Sequence, residues 1–190
     1  MSNGEIDRNK SKVLIIATSL DPKSRSFLLA EATFQEALKH DVYCRLLDLR
    51  ELPLPLSGNF DMETPEVVVR MKNEFSWATH LLFAVPIYNW DVNAAAKNAM
   101  EWLTEAELAE KPVGFLCAAG GASSYMSVMS FANSLMLDFR CWIVPRIVYA
   151  VSTDFSETGV ENPKIKERIA GVVQDLLRFR LLELRSFDSS

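Results

Sequence analysis

The sequence predicts an α/β three-layer sandwich built on a five-stranded parallel sheet of strand order 2-1-3-4-5. Three observations carry that expectation. Short apolar runs alternate with longer segments of helical periodicity, giving the order βαβαβαβαβα. The runs are apolar at consecutive positions rather than at every second one, the pattern of strands covered by helices on both faces. Pro145 interrupts the last run, and a strand proline is tolerated mainly at an edge, which is where the 2-1-3-4-5 order puts strand five.

Residues 12–19, KVLIIATS, form the first expected strand. From Ser24 onward, Phe27, Ala30, Phe34, Ala37 and Leu38 recur at helical spacing, so 24–39 reads as an amphipathic helix. Residues 42–49, VYCRLLDL, are the second strand, and 53–63 a proline-marked loop. Thr64 followed by Pro65 reads as an N-cap with proline in the first turn, and Val67, Val68, Met71 and Phe75 make one face of that helix. Residues 79–88, THLLFAVPIY, are the third strand, stopped by Pro86. Asn93 is expected to cap a helix reaching Leu103, with Ala96, Ala99, Met100 and Leu103 inward. Residues 112–121 are the fourth strand, ending in paired glycines; a helix follows over 123–139, and 141–151 are the fifth strand. Asn162-Pro163 opens a last helix with Ile165, Ile169, Val172, Val173, Leu176 and Leu177 toward the core. One domain spans 1–190, with flexible ends at 1–11 and 185–190.

Composition narrows the function. Hydrophobic residues make up 49% and charged residues 24%, a globular balance. A net charge of −5 disfavours nucleic acid and anionic membranes as partners, because both need a basic face. Cys44, Cys117 and Cys141 lie far apart and form no CxxC, and there are two histidines, so reduced, buried thiols are expected rather than zinc. The opening MSNGEIDRNKSK lacks the apolar core of a signal peptide, and no run is long enough for a membrane span. A cytoplasmic protein without membrane insertion is expected.

Ligands of open parallel sheets bind at the carboxyl ends of the strands near the switch point. Strand one ends in TSLDPKSRS, strand three in PIYNWD and strand four in AAGGASSY. The first loop puts hydroxyls, Lys23 and Arg25 at a helix N-terminus, whose free N–H groups suit a phosphate. Capping of its own helix accounts for one serine; three serines and an arginine exceed it. The loop is neither GxxxxGK[ST] nor GxGxxG. In the second loop Tyr88, Asn89 and Trp90 suit a planar heterocycle, or else seal the sheet end or a subunit contact. In the third, Gly120 and Gly121 permit close backbone approach, or simply turn the chain. His40 follows a helix and His80 opens a strand, both away from these loops, and no G-x-S-x-G elbow exists, which disfavours a Ser-His-Asp hydrolase. The third strand lacks the terminal aspartate that a phospho-receiver needs.

Together the loops resemble the NADPH-dependent FMN reductase family of flavodoxin-like quinone, azo-dye and chromate reductases. The family's G-S-x-R-x-x-S-x-[NS] corresponds to Thr18-Ser19-Leu20-Asp21-Pro22-Lys23-Ser24-Arg25-Ser26, and P-x-Y-[NH]-x(6)-[LA]-K-N-x-x-[DE]-W to Pro86-Ile87-Tyr88-Asn89 and Ala96-Lys97-Asn98-Ala99-Met100-Glu101-Trp102. A glycine pair after strand four is the third shared feature. Thr18 stands where the family has glycine, and Asp21 where it has arginine. The resemblance, over about residues 12–180, implies a flavodoxin-like fold. It implies that Ser19, Ser24, Arg25 and Ser26 hold an FMN phosphate, that Pro86, Ile87, Tyr88, Asn89 and Trp90 line the ring, and that Gly120, Gly121 and Ser123 approach its carbonyl-bearing edge. It further implies NAD(P)H as a transient co-substrate, a small acceptor such as a quinone or free flavin, ping-pong turnover, and a homodimer or dimer of dimers. Trp90, Trp102, Tyr125, Met126 and Met129 are candidates for the subunit surface, or else ordinary core. The alternative of a different class is a non-enzymatic carrier, sensor or partner protein of the same fold, including one that has lost its flavin. No protein residue is expected to be catalytic, since a flavin brings its own chemistry.

Overall fold

The structure is a computed structural model, and it describes residues 10–58 and 63–179. Apart from Lys10 and Ser11, the expected flexible ends lie outside those residues. The strands are β1 (Lys12–Ala17), β2 (Tyr43–Asp48), β3 (His80–Tyr88), β4 (Asp91–Val92), β5 (Pro112–Ala119) and β6 (Trp142–Val151). The helices are α1 (Arg25–Ala37), α2 (Glu66–Trp77), α3 (Ala94–Glu101), α4 (Glu105–Leu108), α5 (Met129–Phe139) and α6 (Pro163–Arg178). The parallel path runs β2-β1-β3-β5-β6. This is the expected order with one addition, the two-residue β4, which pairs antiparallel with the end of β3. The fold is flavodoxin-like.

Each face of the sheet has its own core, as consecutive apolar residues in a strand require. Leu14, Ile16, Phe83 and Phe115 point to one side, where they meet Met71 and Phe75 of α2, Ala96 and Ala99 of α3, Leu108 of α4 and Phe131 and Leu135 of α5. Val13, Ile15, Leu82 and Leu116 point to the other, under Leu29 and Ala30 of α1 and Ile165, Ile169, Val172 and Val173 of α6. Pro145 lies in edge strand β6, within an irregularity where the register steps from Val113↔Ile143 to Phe115↔Ile147. Gly114 lies at the same step. A Cβ there would come within 2.7 Å of Leu82 Cδ2, so the close approach requires glycine.

Four local expectations are corrected. Helix α2 starts one residue later than the Thr64-Pro65 reading: Pro65 has ψ 143, outside the helix, and is itself the cap residue without a side-chain bond. Asn93 occupies the cap position of α3 but makes no side-chain cap bond, because its Oδ1 accepts from the Thr18 hydroxyl instead. That helix stops at Glu101, and a new turn begins where the Glu107 carboxylate accepts the Thr104 N–H at 2.8 Å. The helix expected over 123–139 is broken: Ala122–Ser124 is a 3₁₀ turn, Met126 has φ 72, and α5 begins only at Met129. Tyr125 is held out of helical continuity against Tyr149, edge-to-face with centroids 5.3 Å apart.

The cysteines are free thiols, none of them in the three loops that follow the strand ends. Burial pushes Cys44 and Cys117 up to about 12, and Cys141 to about 11 against the opposing influence of Lys111. No helix among the described residues is long and apolar enough to cross a membrane.

Candidate functional site

The first loop shapes itself with side chains instead of glycines. Ser19 is buried and its hydroxyl accepts the Asp21 N–H at 3.2 Å; the Asp21 carboxylate accepts the Lys23 N–H at 2.8 Å. Ser24 caps α1 by accepting the Phe27 N–H at 3.2 Å, and its hydroxyl meets that of buried Ser26 at 2.8 Å. The Arg25 and Ser26 N–H groups have no acceptor among the described residues. Helix α1 therefore presents free donors and a partial positive end beside two hydroxyls and the Arg25 guanidinium, the arrangement that receives an anion.

Other elements brace this loop. The Asn93 amide donates to the Thr18 carbonyl at 2.7 Å. Arg50, itself held by Asp48, donates to the Pro22 carbonyl at 3.3 Å and lies over the Phe27 ring at 4.0 Å. Arg25 donates to the Ser152 hydroxyl at 3.1 Å.

The second loop is a hairpin, not open coil. Asn89 and Trp90 have φ 50 and 63, the two left-handed residues of a tight turn joining β3 to β4. The turn thrusts Tyr88 and Trp90 outward, 52% and 65% exposed. Asp91 anchors it from below. Burial favours its neutral form, but hydrogen bonds from Lys97, Ser130 and the Val92 N–H outweigh that and hold its carboxyl below the ordinary value.

The third loop leaves space. A Cβ on Gly120 or Gly121 would meet no protein atom within 4 Å, and neither residue has a positive φ. Packing and backbone strain within the chain thus do not demand glycine at either position. A ligand approaching the backbone would.

One cleft of about 810 Å³ joins the three loops, within the size of small-molecule sites. Ser24, Arg25, Ser26, Pro86, Ile87, Tyr88, Asn89 and Gly120 line it, together with Asp21 and Lys23 of the same first loop and with Ala118 and Ala119, which no sequence feature marks. Ser19, Trp90, Gly121 and Ser123 do not line it. Ser19 is buried beneath the loop, and Trp90 stands on the outer side of the hairpin turn. The Gly121 carbonyl is turned to the Tyr149 hydroxyl at 3.0 Å. His40 and His80 lie at the opposite end of the sheet, where His80 bonds the Thr79 hydroxyl at 2.7 Å and the Phe179 carbonyl at 2.6 Å.

The second half of the motif that begins at Pro86 is scaffolding in space. Asn98 donates to the Pro55 carbonyl at 2.9 Å and accepts the Ser57 N–H at 2.9 Å. The Trp102 indole donates to the same Pro55 carbonyl at 3.0 Å, and Glu101 accepts the Ser57 hydroxyl. Lys97 reaches Asp91 at 2.6 Å. The K-N-x-x-E-W run thus staples the loop after β2 and the hairpin after β3 onto α3. Trp102 and Met129, considered as subunit surface, pack partly buried on the core, whereas Trp90, Tyr125 and Met126 are exposed.

Comparison with known proteins agrees with this geometry. An NAD(P)H-dependent FAD/FMN reductase of Geobacillus thermodenitrificans is 22% identical over 162 residues, 81% of this chain and 85% of that protein. An NAD(P)H-dependent FMN reductase of Pseudomonas aeruginosa is 32% identical over 116 residues, 58% of this chain and 60% of that protein. The fold matches that of an oxidoreductase from Corynebacterium diphtheriae with a TM-score of 0.72 at 19% identity, covering 90% of this chain and 96% of that one. Residues 11–156 match the NADPH-dependent FMN reductase family, and the chain therefore belongs to that family of FMN-using enzymes.

Proposed function

We propose that the cleft seats FMN, with its phosphate at the N-terminus of α1 and its ring between the Tyr88–Trp90 hairpin and the diglycine turn, and that the enzyme passes hydride from NAD(P)H to a small acceptor such as a quinone or free flavin. The observation that carries this reading is the continuity of the cleft: free N–H donors with paired hydroxyls at one end, and Gly120 facing open space at the other. When bound, FMN supplies the hydride chemistry itself. The chain's part is to bind and orient. Ser24, Ser26 and Arg25 neutralise and hydrogen-bond the phosphate; Pro86 and Ile87 give an apolar wall at the strand end; Asn89 offers an amide at the cleft.

In this reading NAD(P)H and the acceptor use the same open face of the ring in turn, which is ping-pong turnover. The exposed Tyr88, Trp90, Tyr125 and Met126 are the residues of a homodimer contact in this reading. The test has two parts. The purified protein is expected to be yellow and to release FMN on denaturation, and initial rates with NAD(P)H and a quinone are expected to give parallel double-reciprocal lines. A colourless protein that declines FMN at micromolar concentration overturns the cofactor assignment; intersecting lines overturn the shared face.

A further inference from the structure

Ser152 lies outside every family motif in the sequence, yet it touches two of the three loops. Its hydroxyl accepts from Arg25 Nη1 at 3.1 Å and donates to the Gly120 carbonyl at 3.1 Å. One side chain thereby links the guanidinium at the anion end of the cleft to the glycine backbone at the other end. The turn that carries it is held in place. Asp154, buried, accepts the Val151 N–H at 2.7 Å and the Asn162 amide at 2.6 Å, which ties the Ser152–Asp154 turn to the start of α6. The hydroxyl has one proton, and Arg25 can only donate, so the direction of both bonds is set: Arg25 to Ser152 to Gly120.

We propose that Ser152 is a positioning residue of the flavin site: it holds the Arg25 guanidinium over the phosphate seat and aims the Gly120–Gly121 peptide. This rests on the FMN reading of the cleft. Without the serine, Arg25 is an exposed side chain with several rotatable bonds, and ordering it must then be paid from binding energy. The Gly120 carbonyl loses the contact that fixes its peptide plane. Because that plane is rigid, the Gly121 N–H points away from Ser152 for as long as the bond is made.

The test measures binding of FMN and of riboflavin, which lacks the phosphate, by quenching of flavin fluorescence in the apoprotein. Ser152→Ala is expected to weaken FMN by about tenfold, the value of one charge-assisted hydrogen bond, and riboflavin by about twofold. Ser152→Thr keeps the hydroxyl and is expected to restore FMN binding to within about twofold of wild type. In a double-mutant cycle, Arg25→Ala is expected to cost far less FMN affinity in the Ser152→Ala background than in wild type. Equal FMN affinity in wild type and Ser152→Ala, or losses that multiply in the double variant, overturn the role of Ser152 while leaving the site intact. A wild-type protein that binds neither flavin overturns the site reading itself.

Discussion

Thr18 and Asn93, buried and 75 residues apart in the chain, bond each other in both directions: the Thr18 hydroxyl donates to Asn93 Oδ1 at 2.8 Å, and the Asn93 amide donates to the Thr18 carbonyl at 2.7 Å. The pair joins the end of β1 to the start of α3, and so fixes the anion-receiving loop against the hairpin that faces the other part of the cleft. It also gives a role to threonine at the position where the family motif has glycine. Asn93→Ala strands the buried Thr18 carbonyl and leaves the Thr18 hydroxyl only its longer bond to the Ala84 carbonyl, at 3.2 Å, and is expected to cost about 2 kcal/mol. Urea unfolding checks the stability, and flavin titration of the same variant is expected to show weaker binding.

Ser24 separates capping from anion binding. Aspartate caps a helix as well as serine does, so Ser24→Asp is expected to leave the melting temperature near wild type. The added charge, however, stands in the wall of the proposed phosphate seat, and two like charges about 4 Å apart near a protein surface repel by about 4 kcal/mol, so FMN affinity is expected to fall by at least about 100-fold. Thermal melts paired with FMN titration give both readings. Unchanged flavin retention would remove this loop from the site.

Asp21 lines the same cleft with a carboxylate, which an incoming phosphate opposes. Its structural duty is to accept the Lys23 N–H, and an amide oxygen does that equally well. Asp21→Asn is therefore expected to bind FMN about threefold more tightly, a modest gain because the group is exposed and screened by salt. The gain should shrink as ionic strength rises.

Asn98 tests whether the K-N-x-x-E-W run is scaffold or ligand. Asn98→Ala removes both bonds to the loop after β2 and is expected to cost about 1–2 kcal/mol. Limited proteolysis is expected to cut that loop faster, with FMN affinity within about twofold of wild type. A large loss of FMN binding at full stability would make the motif a direct contact.

His80 gives the fold a pH dependence remote from the cleft. Burial lowers its pKa from the ordinary 6.5, against the opposing bond to the Phe179 carbonyl. The folded state favours the neutral ring, so the contribution of His80 is complete above 6.5 and is lost as pH falls through the lowered value. Melting temperature is expected to drop as the medium is acidified below 6.5, and His80→Gln, which keeps a donor for the Phe179 carbonyl, is expected to flatten that slope.

By itself, the sequence determined the sheet, its order, the edge position of the proline strand and the three loops that meet at the cleft. These features follow from local patterns: consecutive apolar runs, helical periodicity, and punctuation by proline and glycine, each confined to a few neighbouring residues. The family resemblance was equally legible, because its motifs keep their spacing along the chain. Tertiary structure decided which motif residues face the cleft. Lys97, Asn98, Glu101 and Trp102 belong to the motif that carries the resemblance, which names no partner for them; their partners are Asp91, Pro55 and Ser57, and a hydrogen bond across 41 residues leaves no trace in a spacing pattern. The hairpin at Asn89 and Trp90 lacked the glycine that usually marks such a turn, and the pairing of Ile87 with Val92 imposed it. Ser152 carried no signal at all. Its place was set when β6 packed beside β5 and brought the turn after one strand against the glycines after the other.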